Sequence, residues 1–81
     1  MRPEVEQRYK SDVFFRVAVD VGQKHNLEKW MVKALQECLP YVHLETTNPK
    51  DQEEELRGEA ELMVLYHLGK VGVVYSLPSV H

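Results

Sequence analysis

Hydrophobic and polar residues alternate over residues 12–21 (DVFFRVAVDV). Every second position from Val13 to Val21 is valine or phenylalanine, and the positions between them carry both apolar and charged side chains. A period of two, built from residues that favour pleated surfaces, is typical of a half-buried strand. The pattern therefore predicts a first β-strand, preceded by the polar residues 1–11 as a loosely attached lead-in.

A second pattern runs through the same region. Charged residues of alternating sign recur every four positions from Glu4 to Lys24, as they do on a salt-bridged helix. This pattern supports an alternative fold, an all-α three-helix bundle with helices over 3–24, 26–40 and 49–69. A helix over 13–21 would be apolar on nearly every other side, and so short a chain has little material to surround it. The strand is therefore preferred.

Residues 27–39 carry the strongest helical pattern. Apolar residues recur at spacings of three and four and form one stripe, while Asn26 can cap the amino end and Pro40 ends the helix. The stripe consists of Leu27, Trp30, Met31, Ala34, Leu35 and Cys38. The pattern predicts that Trp30 and Cys38 pack in the core.

The second half of the chain predicts a strand, a helix and a strand. Residues 41–46 (YVHLET) suit a short strand with Tyr41 and His43 pointing outward. Asn48 and Pro49 form a helix start, and Gly69 is a left-handed stop for a helix that runs to about residue 68. Residues 71–77 (VGVVYSL) suit a last strand, and a hairpin of 62–67 with 73–77 is an alternative.

These elements predict an α+β fold, a two-layer sandwich of β-α-β-α-β order with helices on one face of a small sheet. The 81 residues form a single domain. A chain of this size buries only about 60 % of its unfolded surface. The core is therefore expected to be thin, and the second face of the sheet is left uncovered.

Composition and charge exclude several classes of protein. The chain has 10 Lys and Arg, 13 Asp and Glu, and a net charge of −3. Its basic residues are dispersed, which disfavours non-specific binding of nucleic acid. One cysteine cannot form an internal disulfide, and no apolar run is long enough to span a bilayer. A cytoplasmic location is predicted, inside a host cell if the protein is viral.

Candidate chemistry is sparse. The four histidines and one cysteine do not have the spacing of a zinc site. The sequence contains no glycine-rich phosphate loop and no nucleophile elbow, and its paired carboxylates are expected to be solvated rather than buried. The sequence therefore predicts no enzyme, metal, cofactor or small-molecule ligand.

The remaining candidates are surfaces for another protein. Residues 51–61 hold six acids and one arginine, and the uncovered sheet face carries aromatic and basic residues. The predicted contact residues are Phe14, Arg16, Tyr41 and His43 on the sheet, and Glu53, Glu54 and Glu55 on the acidic segment. We predict a small non-catalytic regulatory protein that acts by protein–protein contact, as an inhibitor, an adaptor or a homodimer. The alternatives are a nucleic-acid-binding module that uses the aromatic sheet face, and an inhibitor that mimics nucleic acid by its acidic charge.

Overall fold

The computed structural model describes residues 2–67 and Gly69, and within this part of the chain the fold is helical, without a strand. The elements are α1 (Pro3–Ser11), α2 (Val13–His25), α3 (Lys29–Cys38), a 3-10 turn (Leu39–Tyr41) and α4 (Pro49–His67). The predicted α+β sandwich is therefore wrong. The strand predicted over 71–77 lies outside the described residues.

The strand predicted over 12–21 is helix α2, and its start explains why. The Asp12 carboxylate accepts hydrogen bonds from the backbone N–H groups of Phe14 and Phe15, at 3.0 and 3.1 Å. This side-chain cap satisfies amide donors that a new helix leaves without partners. The buried residues of α2 are Val17, Ala18, Val21 and Gly22, which follow a helical period rather than an alternating one.

The alternative bundle is closer to the structure, but its first helix is broken. Asp12 has an extended backbone (φ −113°, ψ 104°), and its own N–H donates to the carbonyl of Arg8 at 2.9 Å. Asp12 therefore ends α1 and begins α2. The separate α1 packs against α2, and the guanidinium of Arg8 lies 4.4 Å from the ring centroid of Phe15. Helix α2 is therefore surrounded by α1, α3 and α4, although so short a chain was expected to have too little material for this.

The connection between α2 and α3 uses Asn26 differently from the prediction. Asn26 adopts the left-handed conformation (φ 56°, ψ 46°) and ends α2 instead of capping α3. The N–H of Leu27 donates to the carbonyl of Gly22 at 2.8 Å, which satisfies a carbonyl at the end of α2. Helix α3 then begins at Lys29 without a side-chain cap.

The strand predicted over 41–46 is also wrong. Pro40 does not begin an extended segment. Helix α3 passes directly into the 3-10 turn that contains Pro40 and Tyr41. Residues 42–47 then form an irregular connection to α4.

Helix α4 confirms the predicted start signal. The Asn48 side-chain oxygen accepts from the N–H groups of Lys50 and Asp51 at 2.9 and 3.4 Å, and Pro49 is the first helical residue. Residues 62–67 are helical, so the alternative hairpin is wrong. Gly69 has φ 80°, as predicted for a left-handed stop.

The core lies where α2, α3, the 3-10 turn and α4 meet. Its buried side chains in the described part of the chain are Val17, Ala18, Val21, Leu35, Leu39, Leu56, Ala60 and Val64. Helices α2 and α3 approach closely at Gly22, where an added Cβ would lie 2.6 Å from Cγ2 of Val32. None of the described helices combines the length and apolar character needed to cross a membrane.

Candidate interaction surface

Two residues that the sequence analysis assigned to separate surfaces bind each other. Arg16 Nε and Nη2 donate to the two carboxylate oxygens of Glu53, at 3.1 and 2.8 Å. Arg57 Nη2 also donates to Glu53, and its Nη1 donates to Asp20, both at 2.7 Å. The Tyr9 hydroxyl donates to the other oxygen of Asp20 at 2.7 Å. These five side chains form one network, the α1–α2–α4 ion cluster.

The ion cluster links α1, α2 and α4 to one another. The hydrogen bonds from Arg16, followed by that from Arg57, lower the pKa of Glu53 to about 2 against the opposing effect of burial. Arg16 Nη1 also donates to the carbonyls of Tyr9 and Lys10 at the end of α1, at 2.9 and 3.0 Å. The guanidinium of Arg16 is therefore engaged with α1 and α4 at the same time.

Stability is expected to fall in acid because of Glu53. Its folded pKa of about 2 lies below the ordinary value of 4.5, so its contribution is complete above that ordinary value and is lost as the pH falls toward the folded value. In Glu53→Gln, we expect the free energy of unfolding at neutral pH to fall by about 1–2 kcal/mol. Urea unfolding at about pH 6 and about pH 3 measures both effects.

Glu54→Gln is the matched control for this experiment, because Glu54 is the next residue and its side chain is exposed. The control removes the same charge and should change stability by less than about 0.5 kcal/mol. Equal pH dependence of unfolding in wild type and Glu53→Gln would show that the ion cluster does not stabilise the fold.

Three of the six acidic residues in 51–61 make internal contacts: Glu53 in the ion cluster, Glu55 and Glu61. Glu55 accepts from the backbone N–H groups of Glu45 and Thr46, each at 2.9 Å, and so fastens the connection before α4. Glu61 binds Lys24 at 3.3 Å and also contacts the ring of His25. Of the three glutamates predicted to form a patch, only Glu54 is exposed.

The other predicted contact residues do not share a face of a sheet. Phe14 is half-buried and packs against the core, whereas Tyr41, in the 3-10 turn, is 89 % exposed. His43 is exposed in the connection that follows. Among the predicted residues, the direct contact described by the structure is that of Arg16 with Glu53. A role in partner binding for these residues stays a prediction, but without the sheet that suggested it.

A different surface, which the sequence analysis missed, is an open apolar groove of about 200 Å³ along α3. It begins at Leu27, just before α3, follows α3 to Cys38 and meets the last turns of α4 at Met63 and His67. Trp30 is 60 % exposed at its edge. The complete lining is Leu27, Trp30, Met31, Ala34, Leu35, Cys38, Met63, Val64 and His67.

The groove is present because α3 carries more apolar residues than the core buries. In α3 itself, Leu35 is the buried residue, while Trp30, Ala34 and Cys38 are exposed. The prediction that Trp30 and Cys38 are core residues is therefore wrong. The indole of Trp30 stands edge-on to the ring of His67, with centroids 6.3 Å apart and an angle of 77° between the rings. This contact places the amino-terminal end of α3 beside the end of α4.

Apolar surface continues past the groove onto the outer side of α4. Leu62 and Tyr66 are 42 % and 55 % exposed and lie around a shallow depression that also includes Met63. We call the groove together with Leu62 and Tyr66 the α3–α4 apolar face. One signal in the sequence pointed to it, because residues 62–66 (LMVLY) are all apolar or aromatic, and a helix has more sides than one neighbouring helix can cover.

No group of three or more His, Cys, Asp or Glu side chains could hold a metal ion within residues 2–67 and 69. In the same residues, every buried side-chain nitrogen or oxygen has a hydrogen-bond partner. Cys38 and His67 both line the groove, together with Trp30, whose indole N–H donates to the Glu28 carboxylate at 2.6 Å.

No protein-family model matches the chain, and no curated protein or solved structure is significantly similar to it. The geometry of the described residues is therefore the basis for assigning a function.

Proposed function

We propose that this protein is a non-catalytic protein-interaction module and that the α3–α4 apolar face is its contact surface. The observation that carries the proposal is Trp30, a tryptophan left 60 % exposed at the edge of an apolar groove. Contiguous exposed apolar surface on a small protein marks an interaction site, and tryptophan is enriched among residues that dominate binding energy.

The lining of the groove indicates the chemistry of the partner. It contains no lysine, arginine, aspartate or glutamate, so the partner's contribution must come from apolar side chains. Met31 from α3 and Met63 from α4 both line the groove, and methionine adapts to partners of different shape. The groove follows α3, whose ten residues span about 15 Å. An apolar segment of another polypeptide, two or three helical turns long, fits these dimensions.

The engagement of the basic residues supports a protein partner over a nucleic acid. Arg16 and Arg57, which lie on neighbouring helices, both donate to carboxylates of the same chain. A phosphate group would have to displace Glu53 or Asp20 to reach them. A partner that binds the α3–α4 apolar face displaces no internal ion pair, because Trp30, Leu62 and Tyr66 are already exposed to solvent.

Site-specific photo-crosslinking in the source cell tests the proposal. A photoreactive amino acid at position 34 replaces Ala34, which is exposed and lines the groove. The control carries it at position 7 in place of Gln7, which is exposed on α1. We expect protein adducts of defined mass at position 34 that are absent at position 7. Adducts of twice the chain mass would identify a second copy as the partner.

A second substitution distinguishes specific binding in the groove from non-specific hydrophobic association. Met63→Glu puts a charge into the wall of the groove and should lower the adduct yield at position 34 about tenfold, equivalent to about 1.4 kcal/mol of binding energy. Circular dichroism of this variant checks that the helices remain. The proposal is wrong if position 34 gives no adducts, or if the same adducts form at both positions or survive Met63→Glu.

A further inference from the structure

Helix α3 presents a row of three exposed side chains along the groove. Trp30, Ala34 and Cys38 follow one another at intervals of four residues, and all three line the groove. Alanine stands at the middle of this exposed row, with a larger side chain one turn before it and one turn after it. The distance between packed helices depends on the side chains at their contact, so a small central residue allows a second helix to approach α3 closely.

A charged row lies beside the exposed row on the same helix. It consists of Lys29, Lys33 and Glu37, each of which is exposed and stands one residue before a member of the exposed row. Residues four apart share one side of a helix, so the three charges flank the exposed row on one side. None of the three takes part in an ion pair within the part of the chain that the structure describes.

We propose that the partner in the groove is α3 of a second copy of this chain, lying antiparallel to the first across a two-fold axis at Ala34. The inference rests on the proposed function, because it uses the same face and names its partner. A two-fold axis brings the same surface of both copies together. The ten residues of α3, nearly three turns, also match the two or three helical turns that the groove accommodates.

Charge complementarity favours this arrangement. When two helices lie antiparallel about Ala34, each residue meets the one equally far beyond Ala34 in the other copy. Glu37 of one copy then lies between Lys29 and Lys33 of the other, about 3 Å along the helix from each. A parallel arrangement in the same register would instead place glutamate against glutamate and lysine against lysine, which is unfavourable.

Analytical ultracentrifugation of the purified full-length chain, at concentrations up to about 1 mM, tests the proposal. We expect wild type to form dimers as its concentration rises. Glu37→Lys sets three lysines of one copy against three of the other and should raise the dimer dissociation constant at least about tenfold. Lys29→Glu combined with Lys33→Glu sets three glutamates against three and should have a similar effect.

A mixture of these two variants provides the decisive measurement. Each contact between the charged rows in a mixed dimer joins opposite charges, so the mixture should associate about as strongly as wild type. Mixing leaves the charges within each helix unchanged, and a gain on mixing therefore reports contacts between copies. Glu54→Lys, the same charge reversal at an exposed position outside the groove, should change the dissociation constant by less than about twofold.

Three results would overturn the inference. The chain stays monomeric up to about 1 mM, Glu54→Lys weakens the dimer as much as Glu37→Lys does, or the mixture associates no better than its components. Circular dichroism checks that the helices persist in each variant.

Crosslinking tests the antiparallel direction. Ala34→Cys in a Cys38→Ser chain places one thiol of each copy beside the two-fold axis, so a short bis-maleimide should join them readily. In the wild-type dimer the two copies of Cys38 lie about 12 Å apart along the helices and should be joined much more slowly. Equal rates at both positions would show that the helices are not antiparallel about Ala34.

These outcomes are separate from those that test the proposed function. If the purified chain stays monomeric but position 34 gives adducts of another mass in the cell, only the self-association is wrong and a different polypeptide is the partner. If position 34 gives no adducts in the cell, the interaction surface itself is wrong.

Discussion

Leu39→Ala is expected to lower the free energy of unfolding by about 3 kcal/mol, the largest loss of any substitution considered for this protein. Leu39 is fully buried, at 0 % exposure, in the 3-10 turn that contacts both α3 and α4. Truncation removes its apolar burial and leaves a cavity that rigid neighbouring helices cannot fill completely. Urea denaturation followed by circular dichroism measures the loss.

Tyr41→Ala is the matched control, because Tyr41 lies in the same 3-10 turn and is 89 % exposed. It should change stability by less than about 0.5 kcal/mol. A large loss in Tyr41→Ala, or a small one in Leu39→Ala, would mean that the turn packs against the helices in another orientation.

Gly22→Ala is expected to destabilise the fold by about 2 kcal/mol, even though alanine favours helix over glycine by about 1 kcal/mol. The new Cβ would lie 2.6 Å from Cγ2 of Val32, closer than two non-bonded carbon atoms can approach. Valine in a helix has one strongly preferred rotamer, so α3 must shift away from α2. The same urea experiment measures the loss.

Two further variants isolate the close contact. Gly58→Ala, on α4, meets no atom within 4 Å of its new Cβ and should gain about 0.5–1 kcal/mol from helix propensity alone. Adding Val32→Ala to Gly22→Ala should recover most of the loss, because it removes the methyl group that clashes. If Gly22→Ala is as stabilising as Gly58→Ala, α2 and α3 do not approach at this point.

The Gly22 contact also bears on the interaction surface. Helix α3 packs against α2 through the side that carries Val32. This orientation leaves Trp30 and Ala34 exposed along the groove. A shift of α3 in Gly22→Ala should therefore also reduce the adducts formed from position 34. This links the packing of two helices to the presentation of the α3–α4 apolar face.

The sequence predicted α4 well because its signals are local. Asn48 and Pro49 begin the helix through contacts within four residues, and Gly69 ends it through its own backbone conformation. The four-residue charge repeat was also a correct indication of helix, since Arg8 and Asp12 lie 3.6 Å apart as an i,i+4 pair. The alternation over 12–21 was wrongly preferred to this charge repeat. The same residues also have a helical pattern, which places Val17, Ala18 and Val21 on one side of α2.

The candidate sites could not be predicted in the same way, because their partners are distant in the chain. Arg16 and Glu53 are 37 residues apart, and nothing near either residue in the sequence indicates the pair. The apolar stripe of α3 was visible, but burial depends on which neighbours reach it. α2 and α4 cover Leu35 and leave Trp30 exposed.

The sequence by itself determined local features of this protein: the existence of α3, the limits of α4, the left-handed stop at Gly69 and the wide apolar stripe. These follow from side-chain and backbone preferences within a few residues. Only the tertiary structure decided that 12–21 is part of a helix packed against α1, α3 and α4, that Glu53, Glu55 and Glu61 make internal contacts, and that the stripe of α3 opens into a groove. The reason is physical, since ion pairing and burial depend on which helices meet, and that is settled only when the whole chain packs.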